Sequence, residues 1–353
     1  MLKTEKDPLS TREKIYRIYR KIRFVIRHKP PKRTIAIQEK TETTQHITIR
    51  KQTYRAYRKI RFLWRTGAFS TIPVKNNIGS SKAIHYPKRT YFAIGINSLS
   101  VYMITYLFVF FLTHVITAIS ASAFKISTLL YYYDVDFLIR GYDWTSDAVI
   151  AVFSSAPLFS LLFALLLFIL YVNVAAETGF LRLFVLWTLC HFLLRFFGDM
   201  LVGVLLDEGF GYVIMYLFVM DTGKMLICLF AFICLFSMGY LMTRYFLYSG
   251  NSYFNLLNRT NRIKFILAQF IIPVVLGNIL IIVLKIPQIR LFEILLNASM
   301  LMLLIPVFLR SIKLQDLFFD EEPRRIKIFV KYIISAILML IVFRVGLGIG
   351  IGF

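Results

Sequence analysis

Long apolar runs separated by short polar segments fill the chain after residue 90. A hydrocarbon layer of roughly 30 Å needs about 20 consecutive apolar residues in a helix. Runs of this kind occur at seven places, which are 92–119, 148–173, 180–206, 224–246, 263–285, 291–310 and 326–347. The pattern predicts an all-α, polytopic transmembrane helical bundle of about seven spans, occupying residues 91–353.

One further apolar run is too short to cross a membrane as a helix. Residues 210–220 are eleven apolar positions bounded by polar segments at 207–209 and 221–224. A run of this length is typical of a re-entrant or an interfacial helix. The pattern leaves both alternatives open.

The first 90 residues form a basic tail. They hold 24 of the 42 Lys and Arg but only 5 of the 19 Asp and Glu, so they contribute +19 of the net charge of +23. The whole chain is 58% hydrophobic and only 17% charged, with a mean hydropathy of +0.67. This distribution excludes a uniformly basic nucleic-acid-binding globule, a disulfide-stapled secreted domain and an ordinary soluble enzyme.

The tail contains an internal repeat. Residues 14–28 recur as residues 52–66, with nine of fifteen positions identical, and each copy has the spacing of a basic amphipathic helix. We expect the repeats to bind anionic lipid headgroups or a protein partner through residues such as Arg17, Arg20, Lys21, Arg55, Arg58 and Lys59. The alternatives are a solvated tail that only sets topology, and a nucleic-acid-binding segment, which is disfavoured because no nucleic-acid motif accompanies the repeats.

The charge distribution also predicts an orientation. Basic segments stay on the cytoplasmic side of a membrane, so we expect a cytoplasmic amino terminus and a cell inner-membrane location. Residues 125–147 then lie outside and carry four Asp against one Lys and one Arg. The mitochondrial inner membrane is the alternative, because the Arg-rich, acid-poor tail resembles a transit peptide.

Polar residues at membrane depth are the candidates for function. In the third span His191, Arg195 and Asp199 have i, i+4, i+8 spacing, which predicts one polar stripe with an Arg195–Asp199 ion pair. The stripe is either a solute or proton relay or an ion pair that fixes helix packing. Further candidates are His114 in the first span and Glu293 and Asn297 in the sixth.

No catalytic or metal-binding constellation is complete. Cys190, Cys228 and Cys234 lie in apolar runs without zinc or disulfide spacing, and the acidic stretch 134–143 lacks the offsets of a calcium-binding loop. We therefore predict no cofactor, no metal site and no catalytic residue, and an enzyme is disfavoured.

Two resemblances accompany these motifs. His114-Val-Ile-Thr-Ala118, followed by Ser154-Ser-Ala-Pro157, resembles the layout of the site-2 intramembrane metalloproteases. Val115 and Ala118 stand where that family has its catalytic Glu and second His, so the resemblance does not imply proteolysis. The segments 142–145, 209–212 and 221–224 resemble bacterial multi-pass inner-membrane proteins of unknown function, which implies placement and no activity.

Two functional hypotheses follow. The first is a membrane protein that binds or conducts a small polar or ionic solute along the third span. The second is a non-catalytic scaffold or assembly factor that recruits partners or anionic lipid through its tail. Oligomeric state is left open by the sequence.

Overall fold

The computed structural model describes residues 86–174, 180–254, 256–318 and 327–353. Within these ranges six helices are long and apolar enough to cross a membrane, which are Lys88–Ala123, Ser146–Tyr171, Leu181–Leu206, Asp221–Ser252, Arg259–Lys285 and Leu291–Lys313. They correspond in order to the first six predicted spans and are called the first to sixth spans. The predicted all-α, multi-pass helical bundle is confirmed. The tail repeats lie outside the described residues.

The seventh predicted span is helical from Val330 to Gly346, a length of 17 residues. Before this helix, the side-chain amide of Asn97 donates to the carbonyl of Lys327 and accepts from the N–H of Phe329, both at 2.9 Å. After it, Ile351 pairs with Leu130, which follows the first span. The helix therefore runs beside the first span, but it is not among the six described helices that are long and apolar enough to cross a membrane.

Two small antiparallel sheets connect loops at the two ends of the bundle. The first has the order β2-β1-β5, formed by Val135–Phe137, Thr128–Leu130 and Ile351–Gly352. The second pairs β3 with β4, formed by Leu256–Leu257 and Leu317–Phe318. Because successive spans reverse direction, the two sheets lie at opposite ends. We call the end with the β1–β2 hairpin the hairpin end.

The third span lies at the centre of the bundle and contains a π-helical turn. Its α-helical parts are Phe180–Leu193 and Asp199–Leu206, and the π turn is Leu194–Gly198. The side chains of Trp187, Cys190 and Phe192 are fully buried. The first, second and fourth spans pack against this helix, so its polar groups lie inside the bundle.

The fifth span contains a second π turn, whose cause is visible in the sequence. Helices Arg259–Ile266 and Ile272–Lys285 flank the turn Leu267–Ile271, and Pro273 follows it. Proline has no N–H, so the carbonyl four residues earlier, that of Gln269, loses its helical donor. The hydroxyl of Ser98 in the first span donates to that carbonyl at 2.5 Å.

Residues 207–220 connect the third span to the fourth and contain no helix long enough to cross a bilayer. Phe210–Tyr216 is a helix of seven residues, which is about 10 Å long and too short to span a bilayer. It packs closely on the third span, because a Cβ at Gly211 would lie only 2.1 Å from the carbonyl oxygen of Gly203. The sixth span is composed of Leu291–Ala298 and Met300–Lys313, and it begins beside the Asp199–Leu206 part of the third span.

Candidate functional site

A cavity of about 580 Å³ opens at the hairpin end. It is bounded by the first, second and third spans, the β1–β2 hairpin, the segment 208–216 and the start of the sixth span. We call it the polar cavity, because eight of its lining side chains are acidic, basic or histidine: His114, Asp134, Asp136, Arg195, Asp199, Glu208, Arg290 and Glu293. Four of the sequence candidates, His114, Arg195, Asp199 and Glu293, therefore line one space.

Arg195 lies in the π turn of the third span and reaches the polar cavity. Its guanidinium carbon is 5.6 Å from the centre of the Phe110 ring. Among the described residues no carboxylate lies within 4.0 Å of this guanidinium, so the expected direct ion pair with Asp199 is absent. The two side chains have different neighbours instead, because Asp199 accepts from the backbone N–H of Phe210 and Arg195 lies near the Phe110 ring.

Asp199 is held in a pocket made by glycines. Its carboxylate oxygen Oδ1 accepts from the backbone N–H of Phe210 at 3.2 Å, and the residue is 8% exposed. A Cβ at Gly209 would lie 2.6 Å from that oxygen, and one at Gly203 would lie 2.9 Å from it. Gly209 also has a φ of +54°, which favours glycine. The glycines thus let the carboxylate approach the turn that begins the short helix.

His114 connects the first span to the hairpin. Its Nδ1 lies 2.7 Å from the carbonyl of Phe110, so that nitrogen carries the proton and donates. Its Nε2 faces the Asp134 carboxylate at 3.6 Å. The imidazole stacks on the Phe110 ring with centroids 3.8 Å apart. A proton on Nε2 would make the imidazole a cation beside a carboxylate.

Asp134, at the turn of the hairpin, forms an ion pair with Arg290, which precedes the sixth span. Its Oδ2 is 2.6 Å from Arg290 Nη1, and its Oδ1 accepts from the N–H of Val135 at 2.8 Å. Burial by itself would raise the pKa of this carboxyl, but its interactions with His114, with Arg290 and with the Val135 N–H outweigh burial and lower the pKa to about 2. Asp134 is therefore ionised at neutral pH.

Glu293 pairs with a lysine that the sequence did not single out. The Lys285 ammonium contacts the Glu293 carboxylate and donates to the carbonyl of Tyr133 at 3.0 Å. Lys285 is 0% exposed and lies 4.1 Å from the centre of the Phe110 ring. The two residues flank the 286–290 loop between the fifth and sixth spans, a placement that could have suggested the pair. Phe110 therefore contacts Lys285, Arg195 and His114 with one ring.

His191 and Asn297 lie elsewhere. His191 is 2% exposed and does not line the polar cavity, and its ring centre is 4.7 Å from that of Tyr102 and 5.8 Å from that of Tyr106. Within the described residues its Nε2 has no hydrogen-bond partner. Asn297 accepts from Asn278 through its backbone carbonyl, at 3.2 Å, and also lies off the cavity lining. A relay through His191 stays a prediction.

The predicted tail residues Arg17, Arg20, Lys21, Arg55, Arg58 and Lys59 lie outside the described residues. In the part of the chain that the structure describes, no group of three or more His, Cys, Asp or Glu side chains is arranged to hold a metal ion.

No protein-family model, curated protein or solved structure matches the chain. Both resemblances drawn from the motifs stay predictions, and function is inferred from the polar cavity.

Proposed function

We propose that this integral membrane protein binds a small polar or ionic solute in the polar cavity, entering from the hairpin end. The observation that carries the proposal is the convergence of Arg195 and Asp199 with Asp134 and Glu293 on one space of about 580 Å³. Ligand pockets are typically about 300–1,000 Å³ and combine apolar walls with a few polar groups. Charged side chains within membrane spans are costly, and they usually face a substrate pathway or a water-filled cavity.

On the side of the bundle opposite the polar cavity, hydrogen-bonded side chains occupy the interior. The indole N–H of Trp187 donates to Ser98 at 3.0 Å, and the Ser98 hydroxyl donates to the Gln269 carbonyl. The side-chain amide of Gln269 in turn donates to Ser249 at 2.8 Å. This layer supports binding from one side, and conduction would require it to rearrange.

The direct test is ligand-induced thermal stabilisation of the full-length protein in detergent, screened with amino acids, carboxylates, ammonium compounds and phosphate esters. Ala156→Phe fills the cavity wall, and Leu158→Phe, on a position that is 55% exposed on the same helix, is the matched control. A solute that stabilises the wild type and the control but not Ala156→Phe supports the proposal. No stabilisation by any class, or stabilisation unchanged in Ala156→Phe, would contradict it and favour the scaffold hypothesis.

We further propose that the protein lies in a cell inner membrane with its amino terminus in the cytoplasm. Support comes from the tail charge and from the acidic hairpin end. Ser146→Cys, at an exposed position after the hairpin, should react with an impermeant thiol reagent added to intact cells. Labelling only after permeabilisation would reverse the orientation.

We also propose that the tail repeats bind anionic headgroups at the cytoplasmic surface. The test uses the full-length protein in nanodiscs of anionic or zwitterionic lipid. Amides of residues 14–28 and 52–66 should exchange more slowly with deuterium in anionic discs at low salt, and this protection should weaken as salt is added. Equal protection in both lipids would contradict the electrostatic mechanism.

A further inference from the structure

We infer that the solute is a zwitterion that carries a methylated ammonium group, with its anionic group on Arg195 and its cationic group against an aromatic wall of the polar cavity. This inference rests on the proposed function and specifies the substrate class of the same site. Three features carry it: the charges left over after internal pairing, the position of Arg195, and a continuous row of aromatic rings.

Two of the acidic side chains that line the cavity already have a basic partner within the protein. Asp134 is paired with Arg290, and Glu293 is paired with Lys285. Among the described lining residues, the acidic and basic side chains outside these pairs are Arg195, Asp136, Asp199 and Glu208. Asp136 and Asp199 accept hydrogen bonds, from the Tyr133 hydroxyl and the Phe210 N–H, but neither has a counter-ion within 4.0 Å among the described residues. A solute that matches this set has one anionic group and at least one cationic group, because a single charge would leave either Arg195 or the acidic side chains without a counter-ion.

Arg195 provides the anion position. Its guanidinium has five N–H donors in a planar fork, which suits a carboxylate or phosphate, and no described carboxylate within 4.0 Å occupies that fork. The Phe110 ring lies over the group at 5.6 Å and leaves the donors for an anion.

The aromatic wall provides the cation position. It consists of Phe137 on β2, Trp144 in the following loop, Phe153 on the second span and Tyr212 on the short helix, all of which line the cavity. Neighbouring ring centres are 4.9–5.7 Å apart, so rings from four parts of the fold pack into one cluster along the cavity. Aromatic faces attract cations, and quaternary ammonium groups are a common ligand of such surfaces.

Carboxylates belong to the same elements as the wall. Asp136 precedes Phe137 on β2, and Glu208 lies four residues before Tyr212; both line the cavity. A metal cation is a poorer match, because the described residues contain no cluster of three metal-ligating side chains. An organic cation needs no such cluster and can use carboxylates together with ring faces.

The test measures the affinity of the full-length protein in nanodiscs for three probes of similar shape. Glycine betaine has both charges, 3,3-dimethylbutanoate keeps the carboxylate but replaces the ammonium nitrogen by carbon, and choline keeps the ammonium but has no carboxylate. We expect glycine betaine to bind at least about 10-fold more tightly than either of the others.

Variants assign the two charges to the two positions. Arg195→Gln should weaken glycine betaine about 10-fold or more and leave choline unchanged. Trp144→Leu or Tyr212→Leu should weaken glycine betaine about 3- to 30-fold and remove the preference over 3,3-dimethylbutanoate. Phe236→Leu, at a position 38% exposed and outside the cavity, is the matched control and should change neither value.

The outcomes separate this inference from the function on which it rests. If other solutes bind in a manner that Ala156→Phe abolishes, but glycine betaine binds no better than 3,3-dimethylbutanoate, the zwitterion inference is wrong and solute binding stands. If no probe or screened solute is sensitive to Ala156→Phe, both fail. Equal loss of glycine betaine and choline in Arg195→Gln would also overturn the assignment of the anionic group.

Discussion

Removal of one partner of the Lys285–Glu293 pair should strongly destabilise the protein. Lys285 is 0% exposed and the Glu293 side chain is 9% exposed, so Lys285→Met would leave a buried carboxylate and the Tyr133 carbonyl without their donor. Breaking a buried pair from one side costs about 3–5 kcal/mol. At roughly 2–4 °C per kcal/mol for a chain of a few hundred residues, the expected loss in Tm is on the order of 10 °C. Thermal unfolding in detergent, followed by tryptophan fluorescence, measures it.

An exposed pair in the same protein provides the control. Lys224 and Asp207 are 2.7 Å apart, with side chains 24% and 47% exposed. Because water screens this pair, Lys224→Met should cost at most about 1 kcal/mol. The double variant Lys285→Met/Glu293→Leu removes the lone charge and should recover most of the lost stability. The reasoning would be refuted if Lys285→Met lowered the Tm no more than Lys224→Met does. It would also be refuted if the double variant were no more stable than Lys285→Met alone.

Three further predictions concern single side chains. Ser98→Ala removes the donor to the Gln269 carbonyl and should cost about 1–3 kcal/mol in thermal unfolding, whereas Ser100→Ala, which breaks only a bond to its own helix at Ile96, should cost less than about 1 kcal/mol. Asp134→Asn should be less stable than the wild type at pH 7, because the carboxyl is held ionised in the folded state. Since the pKa is lowered from 3.8 to about 2, that difference should be nearly full above about pH 4 and be lost as the pH falls through about 2. A difference at pH 2 as large as that at pH 7 would contradict the prediction. His191→Gln should leave solute affinity unchanged between pH 5 and 8, because the ring lies off the cavity lining, and a changed pH profile would instead support the predicted relay.

The helices were predictable because membrane spans have a length requirement. The first span was expected at 92–119 and extends from Lys88 to Ala123, and the fifth was expected at 263–285 and extends from Arg259 to Lys285. In both cases the additional residues include charged or polar positions at a helix end. An apolar run marks where a helix enters the hydrocarbon layer, whereas the helix itself continues until its backbone groups find other partners.

The pairing of charges was not predictable in the same way. Helical periodicity places Arg195 and Asp199 one turn apart, but tertiary contacts decide their neighbours. Asp199 accepts from the N–H of Phe210 at the start of the short helix, and Arg195 lies near Phe110 of the first span. The π turn that contains Arg195 was also not indicated by the sequence. Arg290 and Glu293 were close enough along the chain to pair, yet Arg290 pairs with Asp134 of the hairpin and Glu293 with Lys285 of the preceding span. Both pairings depend on tertiary contacts among the hairpin, the end of the fifth span and the start of the sixth span, which the sequence pattern does not give.

The ionic groups that line or adjoin the polar cavity lie at the hairpin end of the bundle, where most of them are paired. Lys285, Arg290 and Glu293 surround the loop between the fifth and sixth spans, and Asp134 is brought to them by the hairpin, so their charges compensate one another near the membrane surface. Arg195 extends this set inward, where an unpaired charge is costly. Among the described residues Arg195 has the Phe110 ring as a close neighbour and no carboxylate within 4.0 Å, and its side chain lines the polar cavity. The proposed solute binding depends on this feature, because an anionic group in the cavity would supply the ionic partner that the described residues do not.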